Sequence, residues 1–128
     1  MKFLCLGYYD VEKFDALSGA EQEEIGRQCR PHDKALHNSG ALVAVASLQH
    51  RAAASLRPRN GKTKVTDGPY TEAKEIVGSI FLIEAKDMNE AVQVASLHPA
   101  AKWGEHLGFG IEVRPIDLFQ KVSGEASL

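Results

Sequence analysis

Cysteine is nearly absent from this chain: two residues in 128, Cys5 in an apolar run and Cys29 in a stretch with helical spacing. Two thiols so placed make neither a paired metal-ligand spacing nor a disulfide framework, and both are expected to be buried and reduced. An excess of either charge is missing as well. The 15 basic and 17 acidic residues are mixed along the chain and leave a formal net charge of -2. No basic patch suited to a phosphate backbone results, and nucleic acid is not expected as a partner. Nor is there a long hydrophobic run. The longest nearly apolar stretch, Ala41 to Leu48, falls far short of the ~20 residues that a membrane helix needs. The opening Met1-Lys2-Phe3-Leu4-Cys5-Leu6-Gly7 is too short an apolar segment for a signal peptide and leads straight into a strand pattern. A soluble, cytoplasmic protein with no membrane partner is expected. Gly-rich phosphate loops, nucleotide fingerprints and a serine nucleophile elbow are also absent. No histidine pair stands at a helical i, i+4 or strand i, i+2 spacing beside a carboxylate; His32 and His37 are five apart. Neither a metal nor another cofactor is expected.

What is present is the composition of a packed globular domain, 44% hydrophobic and 25% charged. One domain over 1–122 is expected, followed by a small, polar tail over 123–128 that frays. From Lys2 to Tyr9 both alternating sets are apolar or aromatic, Leu4, Leu6 and Tyr8 against Phe3, Cys5 and Tyr9, as in a strand covered on both faces. Ser18 with Glu21 three residues on is a capping box, so a helix starts there and runs through Ile25 and Cys29 toward Leu36, with Gly40 as its stop. Pro31 predicts a kink or two helical pieces. Ala41 to Leu48 reads as a buried strand. Ala52 to Leu56 and Lys62 to Thr66 read as shorter strands around a turn containing Asn60-Gly61. After Asp67-Gly68-Pro69 a long strand resumes from Ile76 to Ala85. Asp87 with Glu90 then opens a second helix that carries Met88, Ala91, Val92 and Ala95 and ends near His98-Pro99. Gly110 to Ile116 closes the pattern as a last strand.

Strand, helix, several strands, helix, strand is the order of an α+β ferredoxin-like domain built from split βαβ units, with a mostly antiparallel sheet and two main helices on one face. The other face is apolar too, and a second copy packed on it would bury it, so a homodimer is expected.

The run Val65-Thr66-Asp67-Gly68-Pro69-Tyr70-Thr71-Glu72-Ala73-Lys74-Glu75, then Gly78 and Leu82-Ile83, resembles the DGPF-type branch of the YCII-related family. The opening strand, Asn89-Glu90-Ala91, His98-Pro99-Ala100-Ala101 and Ile111 to Ile116 follow in the family's order. The resemblance implies a dimeric α/β barrel with clefts beside the subunit interface, related in fold to small-molecule isomerases and dehydrochlorinases. In the shorter YCII branch, a histidine on the first helix and an aspartate just before a proline at the end of the second resemble a catalytic pair. Here Arg30-Pro31-His32 falls at the first position and His98-Pro99 at the second, a histidine standing where the acid would be. Asp67 is then the candidate to supply the carboxylate.

His32, Asp67 and His98 are therefore the candidate catalytic residues, with Tyr9, Glu72 and Lys74 as candidate substrate contacts. Imidazole, with an ordinary pKa of roughly 6.5, suits proton transfer near neutral pH. Lys74 would hold an anionic group or developing negative charge. Each has a plainer reading. Asp67-Gly68-Pro69-Tyr70 is by itself a turn, His32 an exposed helix residue, His98 a cation at a helix C-terminus and Tyr9 packing at a strand end. His37, His50 and His106 have no motif around them and read as surface residues. Three readings compete: a cofactor-independent enzyme of isomerase or lyase type using a His/Asp site, a non-catalytic dimeric module that binds a small metabolite or a protein partner in regulation, and a purely structural dimer.

Overall fold

The computed structural model describes residues 1–122; the expected fraying tail, 123–128, lies outside the described residues. In chain order, β1 (Lys2–Asp10) leads into a single helical turn, α1 (Val11–Asp15), and then α2 (Gly19–His37). Next come β2 (Leu42–Ser47), the ribbon strands β3 (Ala54–Arg59) and β4 (Lys62–Asp67), and the long β5 (Glu75–Glu84). After it stand α3 (Met88–Ala95), α4 (Pro99–Lys102), a 3-10 turn (Glu105–Leu107) and β6 (Gly110–Pro115). The main sheet has the order β2-β5-β1-β6, every neighbouring pair antiparallel, while β3 and β4 form a separate two-stranded ribbon. Thus β5 lies between β1 and β2, and β1 lies between β5 and β6. The result is a mixed α+β fold whose helical crossovers each skip one strand. The sheet is open, with β2 and β6 as its edges.

The period-two pattern decides which side is dry. Phe3 and Cys5 from β1 and Phe81 and Ile83 from β5 point to one face and meet Leu36 of α2 and Ala91 and Ala95 of α3. The alanines let α3 approach closely, and each large apolar side chain removed from water there is worth about 1.5–3 kcal/mol. On the other face, register places Leu4 beside Leu82 and Leu6 beside Ile80, with Ala44 and Ala46 continuing the two rows. Ile116 and Phe119 complete the lining of an apolar groove there. β1 and β5 are apolar on both faces, as their sequences require.

Both helix-start signals cap their helices, the first as a full capping box and the second through the N-cap side chain alone. Ser18 Oγ accepts from the Glu21 amide at 3.1 Å while the Glu21 carboxylate accepts from the Ser18 amide at 2.9 Å. Asp87 accepts from the Glu90 amide at 2.9 Å. Each such cap stabilises its helix by ~1 kcal/mol. Three features differ from the sequence reading. Of the kink or two helical pieces that Pro31 predicts, the second does not occur, since α2 is one helix through Pro31; Pro31 is exposed, so water can satisfy the carbonyl that proline leaves without a donor. β2 is an edge strand and not a buried one, with Val43 49% and Val45 46% exposed. The segment after His98 forms its own short helix, α4, because the chain turns at Ser96 and Leu97 before Pro99 restarts it at a position that needs no amide donor. Asn60 and Gly61, at φ 53° and 76°, make the tight hairpin turn that joins β3 and β4.

Candidate functional site

The residues with chemistry gather under the helix-side face of the sheet, where β1 ends. Beyond Gly7 the register of β1 with β5 slips by one residue, leaving Gly78 as the extra residue in β5. A Cβ on Gly78 would stand 2.7 Å from the Tyr9 ring, so glycine is what lets that ring lie across the strand. Together with Phe14, Cys29, Asp33, His50, His98 and Phe109, Tyr9 lines a cavity of about 330 Å³. That volume suits a small organic molecule, and its mix of aromatic walls with a few polar groups is typical of ligand sites.

His98 is the best-fixed polar group of the cavity. It is 8% exposed and stacks on Phe81, ring centroids 4.8 Å apart and 5° from parallel. Its Nδ1 accepts from the Ala100 amide at 3.0 Å, which makes it the N-cap of α4. Accepting at Nδ1 puts the ring proton on Nε2. No described protein group pairs with Nε2, and no described buried side-chain nitrogen or oxygen lacks a partner. Nε2–H is thus accessible, on a residue that lines the cavity. Burial pushes the imidazole below the ordinary histidine range, with the Asp33 charge pulling the other way. The ring is held neutral. The sequence reading had His98 at a helix C-terminus; the structure shows it starting the next helix instead.

Opposite, the Tyr9 hydroxyl lies 2.5 Å from His50 Nδ1, and His50 Nε2 lies 2.6 Å from Asp15 Oδ1. Arg51 clamps the other oxygen, with Nε at 2.7 Å and Nη2 at 2.5 Å from Asp15 Oδ2. Hydrogen bonds from Arg51 and then His50 hold the Asp15 carboxyl below the usual carboxylate range. Burial first, and the Asp15 charge second, raise the Tyr9 phenol, opposed by Arg51. Cys29, in the same wall, is raised by burial and the Asp33 charge, both of which disfavour its thiolate.

Of the candidate residues, Tyr9 and His98 share this cavity. His32 does not line it; its neighbour Asp33 does. Asp33 falls on the inward stripe of α2, four residues after Cys29 and three before Leu36, and His32 lies one step off that stripe. Asp67, Glu72 and Lys74 are exposed and outside the cavity. Their segment is tied down by backbone contacts. Gly68, at φ 100°, donates to the Ala53 carbonyl at 2.9 Å, and Ser55 Oγ donates to the Gly68 carbonyl at 2.7 Å. Arg57 donates to the Tyr70 carbonyl at 2.7 Å with its guanidinium 3.8 Å from the Tyr70 ring centroid. Lys74 offers its carbonyl to the Val11 amide at 3.4 Å. Glu112 and Arg114 form a local pair at 3.7 Å on β6, where Glu112 also accepts from Tyr8 at 2.9 Å. Among the described residues no group of three or more His, Cys, Asp or Glu could hold a metal ion, and no helix is long and apolar enough to cross a membrane.

His50, Asp15 and Asp33 escape a motif search. Asp15 and Tyr9 are 35 and 41 residues from His50 in the chain, and neither spacing has a local signature. Comparison with known proteins gives a family and no activity. The chain is 32% identical over 125 residues to an uncharacterized protein of Rhizobium meliloti (strain 1021), an alignment that covers 94% of this chain and 95% of that one. The model of the YCII-related domain matches residues 1–117, and the chain belongs to the YCII-related family.

Proposed function

We propose that this YCII-related chain is a cofactor-independent enzyme of isomerase or lyase type that moves a proton next to the carbonyl group of a small molecule, in the cavity around His98. The observation that carries it is His98 itself: buried, neutral, anchored at Nδ1 and offering Nε2–H to a cavity that also holds the Asp33 carboxylate. A neutral imidazole donor stabilises negative charge developing on a carbonyl oxygen, and a carboxylate across the cavity takes the proton from the adjacent carbon. The family resemblance implied a histidine from the first helix and an aspartate before a proline; in this chain the histidine of the cavity stands before the proline, as His98, and the carboxylate comes from Asp33, next to the His32 that falls at the first position.

The working unit is a homodimer of ferredoxin-like halves of the DGPF-type branch, closing an α/β barrel. The apolar rows of Leu4, Leu6, Ile80 and Leu82 on the open sheet face support it, since such a surface is normally covered. The free thiols Cys5 and Cys29 support a reducing, cytoplasmic setting.

Acetophenone in deuterium oxide tests the chemistry. Wild-type protein is expected to speed deuterium uptake at the methyl group, and His98→Asn and Asp33→Asn are each expected to lower that rate by about 100-fold, while Asp67→Asn leaves it alone. Binding of ketones without exchange would turn the reading into a metabolite-binding module. Exchange that needs Asp67 and not Asp33 would overturn it.

A further inference from the structure

The chain from Tyr9 through His50 and Asp15 to Arg51 reaches from inside the cavity to the protein surface, and for a neutral His50 its order of donors follows from the carboxylate at its outer end. Asp15 accepts two contacts from Arg51, so its remaining oxygen is an acceptor for the Nε2–H of His50. That leaves His50 Nδ1 as the acceptor for the Tyr9 O–H at 2.5 Å. With its proton committed to His50, the Tyr9 oxygen turns lone pairs toward the cavity. The arrangement is built rather than incidental. Tyr9, Phe14 and His50 pack as three rings with centroids 5.7, 5.7 and 5.3 Å apart. Gly78 makes room for the Tyr9 ring. Arg51 holds a left-handed backbone, φ 61°, a conformation that costs ~1–2 kcal/mol for a residue with a Cβ. An exposed pair such as Arg51 with Asp15 adds little stability; what it does is aim the carboxylate.

We propose that Tyr9, His50 and Asp15 form a proton relay that accepts the proton of an enolic or phenolic hydroxyl, making such hydroxyl compounds with an apolar body the ligand class of this cavity. This rests on reading the cavity as a ligand site. In the step, the ligand hydroxyl proton passes to the Tyr9 oxygen as the Tyr9 proton passes to His50 Nδ1. The ligand is left as the oxyanion and His50 as an imidazolium facing Asp15; no bond to carbon breaks and no electron acceptor is involved. His50 and Tyr9 touch the ligand cavity, whereas Asp15 and Arg51 are positioning residues. The aromatic walls from Phe14 and Phe109 suit a flat ring.

The probe is 4-nitrophenol, whose neutral and ionised forms have different absorption bands, mixed with the full chain at a pH where the free probe is largely neutral. Wild-type protein is expected to bind it as phenolate. Tyr9→Phe and Asp15→Asn are each expected to lower the bound phenolate-to-phenol ratio by about tenfold, equal to ~1.4 kcal/mol, and Asp67→Asn, outside the cavity, to leave it unchanged. Arg51→Gln, at the surface, gives a smaller loss in the same direction and covers the case in which an inner variant fails to fold. Ionisation that survives in both Tyr9→Phe and Asp15→Asn, a wild-type complex holding only the neutral phenol, or no binding at all overturns the relay. Because the acetophenone experiment turns on His98 and Asp33, a failure there with phenolate retained here sinks the carbonyl chemistry alone, and the converse sinks the relay alone.

Discussion

The turn from Asp67 to Tyr70 and the cavity around His98 stand at opposite extremes of legibility. The turn lies in the longest family-like run of the sequence, yet its side chains are exposed and its bonds are mostly to backbone: Gly68 to Ala53, Ser55 to Gly68, Arg57 to Tyr70. The cavity has no contiguous signature, yet it collects a buried neutral imidazole, a carboxylate and a tyrosine–histidine–aspartate chain. A recognisable run of residues marks where backbone geometry is demanding. Chemistry marks where distant segments meet. For this chain the first carries the most recognisable part of the family resemblance, and the second holds the candidate site.

Substitutions can break that contrast in order of expected effect. Phe81→Ala removes a ring that is 1% exposed and carries the stack under His98; a loss of about 3–5 kcal/mol is expected in urea unfolding, together with the activity of the cavity. Gly68→Ala puts a Cβ at φ 100° and is expected to cost ~1–2 kcal/mol with no change in ketone exchange, the mark of an architectural turn. His98→Ala strips the N-cap of α4 and is expected to cost about 1 kcal/mol while abolishing exchange. Asp67→Ala, exposed and outside the cavity, is expected to stay within about 0.5 kcal/mol of wild type and to retain activity. If Asp67→Ala were inactive and His98→Ala active, the two regions would have to exchange roles.

Acid sharpens the same comparison. The folded-state pKa of His98 lies below its ordinary 6.5, so the unfolded chain binds this proton first. Stability is therefore insensitive to His98 above pH 6.5 and falls as pH drops from there through the lower folded value. Asp15 and Glu21 are likewise lowered, from 3.8 and 4.5, and their contributions are lost only at lower pH. Thermal melts from pH 8 down to 5 should show an early decline in wild type that His98→Asn removes. Assembly offers an independent check: wild type is expected to sediment as a dimer, and Leu82→Glu, on the open face, as a monomer.

Much of the fold could be read from local rules. The period-two strands at 2–9 and 76–85, the last strand, the capping pair at Ser18 and Glu21 and the one at Asp87 and Glu90 each depend on neighbours a few residues apart, and each stands as read. What was not legible depends on tertiary context. β2 looks buried because it is apolar, but its place at the sheet edge follows from strand order. α1 is one turn, too short for a helical period, and is started by Asp10 accepting from the Lys13 amide at 3.1 Å. His32 drew notice through its neighbouring Arg30-Pro31, although the stripe of Ile25, Cys29 and Leu36 points to Asp33. His50 could not have been chosen without knowing that a loop after β2 returns to α1.

The most direct test of the central claim is nitrogen-15 NMR of the His98 ring across pH 8 to 5. A proton resident on Nε2, an Nδ1 shift typical of a hydrogen-bond acceptor, and a titration midpoint below 6.5 are the expected result. A ring protonated on Nδ1, or one that titrates at or above the ordinary histidine value, would contradict a neutral donor in the cavity and with it the proposed chemistry.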